Sequence, residues 1–128
     1  MPYSRRLERF MSKHDDSFYL GHIQEAITKI QRRLQGVTRP VFDADDLLQD
    51  GVIRQMEIIG EAAARLSEAF QATHPEWDIR NMKGLRNVLI HGYADVDLDV
   101  IWDIAERDIP VLQKHLMIWT REAEEERE

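Results

Sequence analysis

Apolar side chains recur at three- and four-residue intervals through most of this chain, the spacing that lines up one face of an α-helix. Leu20, Ile23, Ile27, Ile30 and Leu34 make a first stripe, which Gly36 ends before residues 37–40 carry the chain across. A second stripe runs through Val52, Met56, Ile59, Ala63, Leu66 and Phe70. Asp43 is its predicted N-cap, with Asp45 and Asp46 in the first turn, where the helix dipole favours negative charge. It should stop before His74-Pro75, because the residue preceding a proline is driven out of the helical region. A third, shorter helix is predicted from Asp78 or Ile79 to His91, closed by Gly92. A fourth starts near Asp97 and sets Ile101, Ala105, Leu112, Leu116 and Trp119 on one face, with Pro110 predicting a kink or a break. No stretch alternates with the two-residue period of a sheet, and there is no internal repeat. The pattern therefore predicts an all-α chain, an antiparallel bundle of four to five helices.

Composition sets the limits of that picture. With 43% hydrophobic and 32% charged residues over 128 positions, the chain reads as one globular domain large enough to bury a core. Residues 1–13 read as a basic N-terminal extension, with Met11 as an alternative start. Residues 14–120 read as the helical domain, and 121–128 as a charged tail too polar for the core. There is no cysteine, which excludes disulfides and thiolate chemistry and is compatible with a reducing cytoplasm. No apolar run approaches the roughly 20 residues needed to span a bilayer. The first residues carry positive charge without an apolar segment behind them, so a secretory signal is not expected.

The net charge of −7 argues against a protein that coats nucleic acid, since such binding rests on contacts between cations and phosphates. Its distribution is more telling. Residues 1–41 hold eight Lys/Arg and four Asp/Glu, while the remainder holds nine and twenty. Inside that acidic remainder, residues 79–94 contain Arg80, Lys83 and Arg86 and no carboxylate. An acidic body around a local basic site suits a selective enzyme, or a site for a basic partner.

The island culminates in Arg-Asn-Val-Leu-Ile-His-Gly-Tyr, residues 86–93. Arg86 is permanently charged and matches phosphate oxygens, while His91 can give or take a proton near neutral pH. Together they suffice to cut a phosphodiester without a metal. On an ideal helix they stand about 140° apart, so the Arg must swing round or the helix loosen for both to meet one phosphate. Asn87 shares a face with His91, and Tyr93 follows the glycine into a turn. The alternative reading is a C-capping His91, a surface Arg86 and a Tyr93 packed on a neighbouring helix. Glu57 and Glu61 are either a solvated helix edge or, with Gly60 admitting the third helix, a means for Glu61 to orient Arg86 or His91. His14, His22, His74 and His115 lack metal-ligand spacing, so no metal site is expected. Trp77, Trp102 and Trp119 read as core or interface anchors because no cations interleave them. Asp95, Asp97, Asp99 and Asp103 mark a turn and a helix start.

At these residues the chain resembles the HepT-like toxins of the HEPN superfamily. The likeness covers almost all of 14–119. It takes in Asp15-Asp16-Ser-Phe-Tyr-Leu, Met56-Glu-Ile-Ile-Gly-Glu-Ala-Ala63, Pro75-Glu-Trp, Gly84 through Asp97, Ile101-Trp102 and Ile109-Pro110. The resemblance implies a helical-bundle ribonuclease toxin acting as a homodimer, with the two Arg/His motifs meeting at the subunit junction. It implies metal-independent, cofactor-free cleavage of tRNA or mRNA by attack of the RNA's own 2′-hydroxyl. By that resemblance His91 would be the general acid/base, Arg86 the stabiliser of the phosphorane, and Asn87 would orient one of them; the reading of the residues themselves adds Glu61 as a support and Arg80 and Lys83 as RNA contacts. It further implies that Tyr93 accepts AMP from a companion minimal nucleotidyltransferase antitoxin, placing negative charge where RNA phosphate must sit. The location implied is cytoplasmic, without membrane contact. The alternative is a non-catalytic HEPN module that binds a nucleotidyltransferase partner or a nucleotide. The basic segment before Met11 is a departure from the family pattern.

Overall fold

The computed structural model describes residues 15–83, Leu85 and residues 97–127. Helix α1 spans Asp16–Leu34. It starts where the Asp15 carboxylate accepts the Phe18 N–H at 3.2 Å, and ends as the chain turns through Gly36 at φ 72°. A left-handed φ of that size costs glycine nothing and other residues about 1 kcal/mol or more. Leu20, Ile23, Ala26, Ile27 and Ile30 are the buried face.

The connection after Gly36 is not a plain crossing. Residues Arg39–Asp43 form a short helix, α2, with Pro40 in its first turn, where a missing N–H has no cost. It carries Phe42, fully buried. Asp43 therefore belongs to α2 and does not cap the next helix. That cap is Asp45, whose carboxylate accepts the Leu48 N–H at 3.0 Å to open α3, Asp46–Ala64. The sequence offers aspartates at 43, 45 and 46; burial of Phe42 decides which one caps.

Helices α1 and α3 are the main packed pair. Arg33 near the end of α1 donates to the Gly51 carbonyl near the start of α3, and Asp16 at the start of α1 meets Ser67 just beyond the end of α3. The pair is therefore antiparallel. All six residues of the second predicted stripe are buried, yet they do not lie on one helix. The chain breaks at Arg65, and Ser67 caps a separate short helix, α4, Glu68–Thr73. The Asp16 carboxylate accepts both the Ser67 N–H at 2.8 Å and the Ser67 hydroxyl at 2.7 Å. A 3-10 turn, Pro75–Trp77, follows, and residues 79–83 are helical again.

After the motif region, α5 spans Leu98–Asp103, a π-helical turn spans Ile104–Asp108, and α6 runs Ile109–Arg127. The irregularity predicted from Pro110 is this turn. A proline in α-helical register would confront the Glu106 carbonyl without an N–H to offer it. Instead the chain takes one extra residue, and the Ile109 N–H bonds back to the Ile104 carbonyl. The wider turn has a second effect. On a continuous α-helix Ile101 and Ile109 would sit about 80° apart; here both are buried. Helix α6 also continues through the polar tail, where residues 121–126 are mostly exposed. Among the described residues there is no strand, and no helix is long and apolar enough to cross a membrane. The chain is an all-α helical bundle.

Candidate functional site

Arg86, Asn87, His91 and Tyr93 lie outside the described residues; the chain that precedes and follows them in sequence is described. On the upstream side, Trp77 and Ile79 are buried and flank Asp78, which takes the left-handed conformation at φ 50°. Aspartate tolerates this better than most residues because its side chain bonds locally. Here its carboxylate accepts from the Asn81 amide, while its carbonyl accepts the Asn81 and Met82 N–H groups. That arrangement launches the helical stretch 79–83. Ile79, Met82 and Leu85 pack toward the core at three-residue steps. Arg80 is exposed and Lys83 half-buried. In the sequence these two cations precede Arg86 at the same three-residue interval.

On the downstream side, the Asp97 carboxylate accepts the Asp99 N–H at 2.9 Å and caps α5. Arg39 then reaches across from α2, donating from Nε to Asp43 at 2.7 Å and from Nη2 to Asp99 at 2.6 Å. Both bonds raise its pKa further, Asp43 first. Among the described residues this is the ion pair that joins elements far apart in sequence. Ile101 is buried and Trp102 lies against Phe42, ring centres 5.2 Å apart. The motif is thus bracketed by two anchors, neither of them visible in residue spacing. Arg39 and Asp99 stand sixty residues apart in sequence.

Glu57 and Glu61 on α3 differ in their surroundings. Glu57 is half-buried and pairs with Arg54 at 3.3 Å, while Glu61, one turn on, is exposed. Gly60 between them is buried. Two of the remaining histidines are structural. The His74 Nδ1 lies 3.1 Å from the Phe70 carbonyl and 3.0 Å from the Thr73 hydroxyl, and its ring stacks on Phe70 with centres 4.2 Å apart. His115 stacks on Trp77 at 6.0 Å. No three His, Asp or Glu among the described residues converge to hold a metal.

Beside the upstream anchor opens a groove of about 640 Å³, which sequence reasoning missed. Its walls are apolar and include Trp77, Met82, Leu85, Ile104, Val111 and Leu112. Its polar members are Glu76, Asp78, Asn81, Asp108 and His115, with no Lys or Arg among the described lining residues. The π-helical turn forms one side of it, and the only sequence signal for that turn was Pro110.

The family profile described as ribonuclease HepT-like matches residues 23–118. A protein of Thermococcus cleftensis named "Probable ribonuclease HepT" is 39% identical over 101 residues, covering 79% of this chain and 92% of that protein. A "Putative RNase" of Methanocaldococcus jannaschii is 32% identical over 108 residues, covering 84% and 99%. A longer protein of the same organism, named "Gamma-glutamylcyclotransferase and putative RNase", is 34% identical over 105 residues; they cover 82% of this chain and 47% of that protein. This chain thus spans about half of that longer relative. No solved structure gives a significant match.

Proposed function

The chain belongs to the HepT-like ribonuclease family, and on that premise we propose that it is a metal-independent endoribonuclease toxin whose reacting groups are Arg86 and His91. The observation that carries this reading is the family match itself, which runs from residue 23 to residue 118 and so includes every motif residue from Arg86 to Tyr93.

In the proposed reaction the 2′-oxygen of a ribose attacks the adjacent phosphorus, and the bond from phosphorus to the 5′-oxygen breaks. His91 moves the proton: the imidazole takes one from the 2′-hydroxyl, and the imidazolium gives one to the departing 5′-oxygen, so that no net proton is gained or lost. Arg86 faces the charge that builds on the phosphoryl oxygens. The products are a 2′,3′-cyclic phosphate and a 5′-hydroxyl, with no water consumed at this step. Asn87 and Glu61 orient the pair, and Arg80 and Lys83 hold neighbouring phosphates. The enzyme acts as a homodimer whose two motifs meet at the junction. A cognate nucleotidyltransferase silences it by adding AMP to Tyr93, whose new phosphates repel the RNA backbone.

The test is cleavage of tRNA and mRNA by purified protein in EDTA, with the RNA ends sequenced. His91→Ala should lower the rate about 10²–10⁴-fold, and Arg86→Ala about 10²–10³-fold, both with unchanged circular dichroism. Undiminished cleavage by both variants overturns the assignment. The acidic balance beyond residue 41 favours one second reading, a non-catalytic module that docks on a nucleotidyltransferase or a nucleotide. It requires a stable complex with that enzyme and no growth arrest when the chain is expressed alone.

A further inference from the structure

The groove beside the 3-10 turn combines two properties that call for a matching occupant. Its walls are apolar, with Val100 42% and Val111 51% exposed along the side formed by α5, the π-helical turn and α6. Its rim carries Glu76, Asp78 and Asp108 without a Lys or Arg among the described lining residues. Those three carboxylates give the described lining a net negative charge. Burial first and the Asp103 carboxylate second raise the Asp108 pKa, and Arg107, already paired with Asp103 at 3.0 Å, only partly offsets them. A segment that fits this surface needs apolar side chains spaced among cations.

The chain has such a segment, and the proposed catalysis does not use it. Residues 1–13 read Met-Pro-Tyr-Ser-Arg-Arg-Leu-Glu-Arg-Phe-Met-Ser-Lys. Leu7, Phe10 and Met11 alternate with Arg5, Arg6, Arg9 and Lys13 against the lone Glu8. The geometry also allows the connection. The two bonds from Ser67 to the Asp16 carboxylate hold the start of α1 at the start of α4. From Ser67 to Glu76 the chain passes through α4 and the 3-10 turn, a rise of roughly 15 Å. An extended chain covers that distance in about five residues. The thirteen residues of that segment are therefore more than long enough to span from the start of α1 to the groove.

We propose that residues 3–13 of this chain seat in the groove of the same molecule, Leu7 and Phe10 on its apolar walls and the arginines on its carboxylate rim. This interaction rests on the groove and the N-terminal sequence alone, and stands or falls independently of RNA cleavage.

The absence of cysteine from the chain makes the test direct. The full-length variant carrying Leu7→Cys and Val111→Cys is oxidised at low micromolar concentration with glutathione disulfide as the electron acceptor, and the products are separated without reductant. A disulfide within one chain should form about tenfold faster than in the control pair Leu7→Cys with Leu47→Cys, because seating raises the effective concentration of one thiol near the other. Leu47 is 83% exposed on the first turn of α3. Adding Glu76→Lys and Asp108→Lys should slow the reaction several-fold, and more so at low salt. A second pair, Phe10→Cys with Ile118→Cys, guards against one unfavourable thiol geometry; Ile118 lies seven residues beyond Val111 on α6 and is 51% exposed. Helicity by circular dichroism must match the parent chain. Bonds between two chains would assign the groove to a second copy and overturn the proposal. Rates equal to the control in both pairs, or indifference to the rim charges, would overturn it too.

Discussion

Asp108 and Asp16 show how differently two aspartates can act. The raised pKa of Asp108 means that the folded state favours its protonated form. Its contribution is therefore present at low pH and is lost as pH rises through and above the ordinary carboxylate range. Asp108→Asn should accordingly melt higher than the parent at pH 7 and at the same temperature at pH 3, as paired melting curves would show. Asp16 is the opposite case, a carboxylate with two donors from Ser67. Asp16→Ala should lower stability by about 1–2 kcal/mol at neutral pH, measured by urea unfolding. Neither role could be read from spacing. Asp16 looks like any first-turn acid until Ser67, fifty-one residues away, is brought to it. Arg39, half-buried and unremarkable in sequence, proves to join α2 to α5.

At the scale of elements, periodicity identified the buried faces and misjudged the joints. Leu20 through Ile30 and Val52 through Phe70 are buried as their spacing predicts. The break at Arg65 escaped notice because Leu66 and Phe70 keep the helical rhythm across it, and α2 because a five-residue helix has too few positions to show one. The π-helical turn is instructive because its cause can be isolated. Deleting Glu106 removes one residue and should return Ile104–Asp108 to α-helical form, leaving Pro110 in collision with a carbonyl and costing about 3 kcal/mol. Pairing the deletion with Pro110→Ala should recover most of that loss, because Ile101 and Ile109 remain within about 20° on the resulting continuous helix. Chemical denaturation of the two deletion variants measures the difference. Failure of Pro110→Ala to rescue would show that the turn answers to something other than the proline.

For the molecule as a whole, the bundle was legible because its helices are amphipathic, whereas the frame of the candidate site was not, because it is built from single long-range contacts. The reading of Arg80, Lys83 and Arg86 as a basic island inside an acidic chain belongs to this scale and has a measurable signature. A site with so few cations should lose RNA affinity only gently with salt, the slope of log affinity against log salt changing by about 0.7 for each phosphate contact removed. Arg80→Ala and Lys83→Ala should each raise KM a few-fold, flatten that slope and leave kcat near the parent value. A fall in kcat with KM unchanged would move these residues out of phosphate binding. The pair of hydrogen bonds from Ser67 to Asp16 has a last consequence, for breathing motions in the native state. Because it ties the first turn of α1 to the first turn of α4, neither end can fray alone, and the backbone amides of Phe18 and Phe70 should exchange with deuterated solvent at matched rates. Cutting that tie would let the two rates drift apart while the amides of Ile27 and Ile59, deep in the α1–α3 pair, keep their protection.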